Sequence, residues 1–291
     1  MDEMKIIAKQ SFGKTKQESS RIIFGGYALS NATQDEADNI LELLLKNGIN
    51  HIDTALIYGN SEKLIGSWME NHRKDFFLAT KTRSRSYKGA WKNLRQSLEL
   101  LNVEYIDLWQ MHALTNPQGW EKVMSPGGTL EAFIEARDEG LVRFLGVTAH
   151  GSKAPFMHKR SLERFDFDAV MLPYNYMRMQ NTKYADNFNE LITLCQKRNV
   201  AVQTIKSISR RPWGDNPKTH NTYFYQPLID ENAIEKSVHW ALGLEDSFVI
   251  TAGDLDLVPQ MLDAAKCYRE QPSDSEMSAL VEKFNVQEIL S

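Results

Sequence analysis

Eight times along the chain a short β-rich run is followed by a helical pattern, and no other feature restricts the fold as much. The runs are RIIFGG (21–26), INHID (49–53), FFLATK (76–81), YIDLWQMH (105–112), VRFLGVT (142–148), FDAVMLPYN (167–175), VAVQTIK (200–206) and SFVIT (247–251). Interleaved with them are QDEADNILELLLKNG, SEKLIGSWMENH, AWKNLRQSLELLN, GTLEAFIEARDEG, SLERF, NFNELITLCQKRN, IEKSVHWALG and VPQMLDAAKCYRE, with apolar residues at helical spacing. Strands joined through crossover helices run parallel, and eight such units close into a (β/α)8 barrel. The expected fold is therefore α/β, one TIM barrel over residues 21–270. Gly48 and Gly140 stand where helices should stop, and Ser61 is placed to cap the helix at 62–72.

The first 20 residues, with SFGKT as the turn, read as a β-hairpin that plugs the N-terminal end of the barrel. Residues 271–291 read as a C-terminal tail. No linker rich in Pro, Gly or Ser divides the chain, so one domain over 1–291 is expected. Three connections are longer than a barrel needs: 113–127, 207–230 and the tail from Gln271. Long connections in compact domains are usually functional, and these belong to the open, C-terminal face.

Composition removes some classes of function. A hydrophobic content of 42% and a charged content of 25% suit a globular protein with a large core. A formal charge of −4 does not supply the basic face that nucleic-acid binding needs. No apolar run approaches the roughly 20 residues that cross a bilayer, and the start, MDEMKIIAKQ, has acids before its apolar patch, unlike a secretory signal. Cys195 and Cys267 read as free thiols in a reducing compartment. The expectation is a cytoplasmic protein, monomeric or weakly self-associating, with no nucleic-acid or membrane partner.

In such barrels the reactive groups sit at the C-terminal ends of strands. Those ends carry Asp53, Lys81, His112 and Thr148, and Tyr58 lies just beyond the second run. Neighbouring strands lie about 4.8 Å apart, so Asp53, Lys81 and His112 should converge. A free tyrosine, with a pKa of about 10, holds its proton tightly. A nearby ammonium stabilises the phenolate, and a carboxylate keeps that ammonium tolerable inside the protein. Asp53, Lys81 and Tyr58 thus read as a proton-donating relay, with His112 orienting a substrate oxygen.

The segments GINHIDTALIYGNSEKLIGSWM, FFLATK, SLELLNVEYIDLWQMH and GLVRFLGVT resemble the aldo-keto reductases. The likeness is strong over residues 21 to about 150 and rests mainly on strand order beyond. It implies that Tyr58 is the general acid, that Lys81 and Asp53 tune it, and that His112 orients an aldehyde or ketone reduced by a nicotinamide cofactor. Residues implied at the cofactor are Gly26, Tyr27, Asp53, Thr148, Lys206, Ser207, Ser209, Arg210 and Gly253.

The second half departs from the family pattern. Thr148-Ala149 replace a Ser-Asn pair, Met171 replaces a glutamine, and ITAGDLDLVPQML brings Asp254 and Asp256 where basic residues usually grip the adenosine phosphate. Lys206, Arg210 and Arg211 in IKSISRR are the cations left for the phosphates, and NADPH is preferred to NADH on their account.

Other residues have plainer readings. His51 is a core histidine. His150 follows the fifth run and is as much a loop residue as a substrate contact. Tyr27 either lines the nicotinamide site or simply packs. The aromatic segment within 207–227 reads as a lid. AKQSFGKT (8–15) nearly matches a phosphate-binding loop, but a strand rather than a helix follows it. Two alternatives remain open: a catalytically silent nucleotide-binding barrel acting as sensor or scaffold, and a metal-dependent barrel hydrolase built on His51, Asp53, Lys81, His112 and His150. No metal is expected.

Overall fold

Alternation along each β-rich run sorts its side chains into two sets, and the barrel follows from both. The computed structural model describes residues 6–289. Two strands, β1 (Lys9–Ser11) and β2 (Glu18–Ser20), pair antiparallel ahead of the barrel. The runs then form β3 (Ile22–Gly25), β4 (His51–Asp53), β5 (Phe77–Thr82), β6 (Ile106–Met111), β7 (Val142–Thr148), β8 (Ala169–Pro173) and β9 (Ala201–Ile205). A second antiparallel pair follows, β10 (Ser209–Pro212) and β11 (Tyr225–Pro227), before β12 (Ser247–Ile250). The barrel closes in the order β12-β3-β4-β5-β6-β7-β8-β9.

Its interior is packed with Ile23, Phe77, Ala79, Leu108, Ala169, Met171, Ala201, Phe248 and Ile250, while Ile22, Ile52, Leu78 and Trp109 face the surrounding helices. The hairpin closes the lower end. Phe12 at its tip is fully buried, with its ring centroid 4.8 Å from Phe248, 5.4 Å from Phe77 and 5.0 Å from His51. Residues Gly13–Thr15 make one 3-10 turn and then run into β2, so SFGKT is a plug and not a phosphate loop. His51 is fully buried here, its Nδ1 2.9 Å from Ser19 Oγ, and burial pushes its pKa down to about 3. It is a core residue, as its depth in the strand suggested.

The helices are α1 (Gln34–Lys46), α2 (Ser61–His72), α3 (Tyr87–Leu100), α4 (Pro117–Met124), α5 (Thr129–Asp138), α6 (Ala154–Arg164), α7 (Tyr176–Met179), α8 (Thr182–Arg198), α9 (Glu231–Leu242), α10 (Leu257–Lys266) and α11 (Asp274–Phe284). Gly48 and Gly140 take left-handed backbone after α1 and α5, at φ +73° and +77°, as a helix stop requires. Ser61 does not cap α2. Asn60 holds that position, and Ser61 is buried in the first turn with its hydroxyl 2.8 Å from Thr54 Oγ1.

Two long connections turn out to contain helices. Asn116 accepts from Gly119 N and Pro117 opens α4, while Ser273 and Glu276 form a reciprocal capping box that starts α11. SLERF is only the end of α6, which begins at Ala154. Residues 1–5 and 290–291, which belong to the expected hairpin and tail, lie outside the described residues.

Candidate active site

The C-terminal rim of β4, β5 and β6 holds the expected acid, amine and imidazole. Strand pairing sets Asp53 opposite Ala79 and Lys81 opposite Gln110. Lys81 Nζ therefore reaches across to donate to Asp53 Oδ2 at 2.5 Å and to Thr54 O at 2.7 Å. Both side chains of the pair are almost wholly buried. The second carboxylate oxygen, Asp53 Oδ1, accepts from Gln110 Nε2 at 2.8 Å, and Gln203 Nε2 donates to Gln110 Oε1 at 3.0 Å. An amide chain through the barrel interior thus holds the acid. Burial opposes the charge on Lys81, but Asp53 and the Tyr58 phenol outweigh it and hold its pKa up. The lysine is a fixed cation.

Tyr58 sits over this pair, with Lys81 Nζ 5.0 Å from its ring centroid. Burial pushes the phenol pKa up and the charge on Lys81 pulls against that rise. The expected lowering is therefore not the net result. The phenol keeps its proton, and Lys81 limits how firmly. His112 lies across from it, the ring centroids 5.8 Å apart at 83°. Its backbone is pinned on both sides: N–H to Thr82 O at 2.8 Å, and carbonyl accepting from Arg85 Nη2 at 2.8 Å. Burial, then Lys81, holds the imidazole pKa well below 6.5. His112 is therefore neutral at neutral pH.

Asp53, Tyr58 and His112 face a cavity of about 460 Å³ at the barrel mouth, with Lys81 buried behind them. Its floor is Met171, Ile205 and Ile250, and Gly25, Tyr27, Thr251 and Gly253 form the side nearest β12 and β3. The roof comes from the connection after β9. Thr222, Tyr223, Phe224 and Tyr225 line the cavity, and Asn221 fastens the segment. Asn221 N donates to Asp254 Oδ2 at 2.7 Å, and its side chain donates to Tyr27 O at 3.2 Å and Ser30 Oγ at 3.0 Å. The aromatic residues of this segment thus form a roof over the cavity. His150 also lines the cavity, its ring 6.1 Å from that of His112.

The remaining expected residues are more scattered. Tyr27, Lys206 and Gly253 line the cavity, and the Tyr27 ring lies 5.2 Å from that of Tyr58. Gly26 packs against Thr54 and Ser61, where a Cβ would come within 3.0 Å of both. Thr148 is fully buried and accepts from Ala113 N at 3.0 Å, which fixes the turn after His112. Ser207 and Ser209 border a separate small cleft under α11. There Ser209 Oγ accepts from Asn175 Nδ2 at 3.1 Å, and the Ser207 hydroxyl is buried without a partner. Arg210 is turned away from the cavity, its Nε donating to Phe284 O at 2.7 Å, and Arg211 Nε donates to Gln226 Oε1 at 2.9 Å. Neither guanidinium lines the cavity.

Gln110, Gln203, Arg83 and Ile57 were not anticipated. A signal for the two amides was present: each stands inside a mostly apolar run, at an inward position of the strand alternation. Among the described residues, no group of three or more His, Cys, Asp or Glu is placed to hold a metal ion, and no helix is long and apolar enough to cross a membrane.

An eight-stranded parallel barrel with tyrosine, lysine, aspartate and histidine at its C-terminal rim defines a class of barrel with an acid-base site. The model of the aldo/keto reductase family matches residues 21–210. The chain belongs to this family.

Its curated relatives include an uncharacterized oxidoreductase, YqkF, of Bacillus subtilis (strain 168). That protein is 28% identical over 181 residues, 57% of this chain and 56% of the relative. Methylglyoxal reductase DkgA of Escherichia coli (strain K12) is 31% identical over 128 residues, 42% of this chain and 43% of that protein. The chain thus spans about half the length of the curated relatives it matches. Among solved structures, an aldo-keto reductase of Bacillus halodurans in its holo form superposes with a TM-score of 0.67 at 23% identity, covering 96% of each chain. An aldo/keto reductase of Brucella melitensis superposes with a TM-score of 0.67 at 18% identity, covering 97% of this chain and 99% of its own. At these identities the superpositions speak to the fold.

Proposed function

We propose that the protein reduces small aldehydes or ketones with a nicotinamide cofactor, or runs the reverse oxidation. The observation that carries this reading is the buried Lys81–Asp53 pair lying under Tyr58, with neutral His112 facing the phenol across one cavity. The reduced nicotinamide, when bound, supplies hydride to the carbonyl carbon. Tyr58 donates its proton to the carbonyl oxygen as negative charge develops there. The phenolate left behind is stabilised by the ammonium of Lys81, which Asp53 keeps charged and in place. A neutral His112 offers an N–H to the same oxygen and orients it without competing as an acid. Tyr27, Tyr223, Phe224 and Tyr225 exclude water from this step, which strengthens each of these interactions.

The cavity suits the nicotinamide end of such a cofactor. Met171, Ile205 and Ile250 give a flat ring an apolar floor, and Thr251 and Gly253 open the way toward the loop after β12. A 2′-phosphate fits less well. The expectation of NADPH rested on Lys206, Arg210 and Arg211. Arg210 and Arg211 each donate from Nε to the protein itself, and the loop after β12 exposes Asp256, with Asp254 buried beside it and accepting from Asn221 N. Like charges repel, so this arrangement favours NADH.

The test is to follow oxidation of NADH and of NADPH with a panel of aromatic and aliphatic aldehydes. Turnover is expected, with the lower KM for NADH. Tight cofactor binding without turnover of any aldehyde would instead support a silent nucleotide-binding barrel.

A further inference from the structure

Lys206 ends β9 in a way that ordinary packing does not explain. Its backbone is left-handed, at φ 71°, a conformation that is strained for a non-glycine residue and collects at functional sites. Two bonds hold it there: the carbonyl of Lys206 accepts from Ser209 N at 3.2 Å and from Asn175 Nδ2 at 3.1 Å. The consequence is that the side chain, buried to 7% exposure, lines the cavity. Its ammonium lies 4.8 Å from the ring centroid of Phe224 and has no hydrogen-bond partner. Among the described residues it has no ion-pair partner either. Asp53 is the one acid among the residues lining the cavity, and Lys81 already answers its charge.

Burial, with the charge of Arg178 on α7 behind it, pushes the Lys206 amine down to about 7. A buried, uncompensated cation is expensive, and this one would regain its proton fully only beside an anion. The wall that carries it leads back to the acid-base groups. Phe224 packs on His150 with centroids 5.3 Å apart, His150 on His112 at 6.1 Å, and His112 on Tyr58 at 5.8 Å. Lys206 therefore shares a wall with the carbonyl position, and exposed Arg83 adds a second positive charge at the rim near His112. Ile57 and Tyr223, both exposed, give the entrance an apolar edge.

We propose that Lys206 is a specificity-determining residue that selects carbonyl substrates bearing a carboxylate, the carboxylate resting on its ammonium while the carbonyl lies at Tyr58 and His112. This rests on the reductase reading above and narrows it to oxo acids with an apolar or aromatic body.

The probe pair is 4-carboxybenzaldehyde and 4-methylbenzaldehyde, alike in shape and different in charge. The wild-type protein should favour the carboxylate in kcat/KM by about tenfold, the scale of one charge-assisted hydrogen bond. Lys206→Met should bring that ratio close to one through KM, and Lys206→Arg should restore part of it. Methionine keeps the stem and removes a buried charge, so the variant should fold. A wild-type ratio near one overturns the proposal. So does a Met variant that loses both aldehydes equally and binds the reduced cofactor more weakly, because Lys206 would then hold a cofactor phosphate. Calorimetric titration with terephthalate separates this proposal from the reductase reading. Binding that weakens at least about tenfold in Lys206→Met supports the anion site even if neither aldehyde is reduced, and no binding to the wild-type protein refutes it.

Discussion

The rim formed by β4, β5 and β6 and the rim formed by β8, β9 and β12 belong to one barrel but are built on opposite plans. On the first, both Asp53 oxygens accept, Lys81 donates twice, and Gln110 and Gln203 carry the network to the far wall. On the second, Lys206 Nζ and Ser207 Oγ are buried without partners, and Arg210 and Arg211 are bonded to other parts of the protein. On the function proposed above, the difference separates two jobs. Proton donation needs groups fixed before the substrate arrives, and a closed network fixes them. Ligand binding needs groups whose partners arrive later; Lys206 Nζ in the cavity wall is one, and on the first rim His112 Nδ1, outside the Asp53–Lys81 network, is another.

The contrast can be attacked from the closed side first. Lys81→Met removes the cation from a buried carboxylate, and should cost about 3–5 kcal/mol of stability together with nearly all turnover. Denaturant unfolding and an aldehyde assay read both, and an unchanged unfolding midpoint would break the claim that the pair is one unit. Gln110→Leu takes the donor from Asp53 Oδ1 and strands Gln203. A loss of about 1–3 kcal/mol is expected, with reduced kcat and little change in cofactor affinity.

Protonation sharpens the same side. Because burial and Lys81 hold His112 well below 6.5, kcat/KM for a neutral aldehyde should stay flat as pH falls through 6.5. An acid limb centred there that persists in Lys206→Met, which lacks the cavity amine held down to about 7, would mean an imidazole open to solvent. The smallest effect belongs to the other rim. Arg210→Ala should cost under about 1 kcal/mol, one hydrogen bond to Phe284 O, and leave the cofactor dissociation constant unchanged. A large rise in that constant would return Arg210 to the phosphates.

How well the sequence foretold the molecule follows the same division. The barrel order was legible because eight β-rich runs each precede a helix, and all eight formed barrel strands. Asp53, Lys81 and His112 were legible because each ends a run, and neighbouring parallel strands bring such ends together whatever the loops do. Less could be read where long connections fold on themselves. Nothing in SISRRPWG fixes which way a guanidinium turns, and Arg210 is oriented by Phe284, distant in sequence. The helices α4 and α11 were hidden in apparent loops although Asn116-Pro117 and Ser273–Glu276 are recognisable starts. The net effect on Tyr58 was also out of reach, since burial of the phenol depends on the roof over the cavity and not on the spacing of the charges.

The account stands on Tyr58 as a proton donor supported by Lys81, and the variant Tyr58→Phe tests it with one oxygen removed. Fluorescence titration with the reduced cofactor should give nearly the wild-type dissociation constant, while kcat for a generic aldehyde falls by about 10²–10⁴-fold. Retained turnover, or equal loss of cofactor binding and turnover, would contradict it.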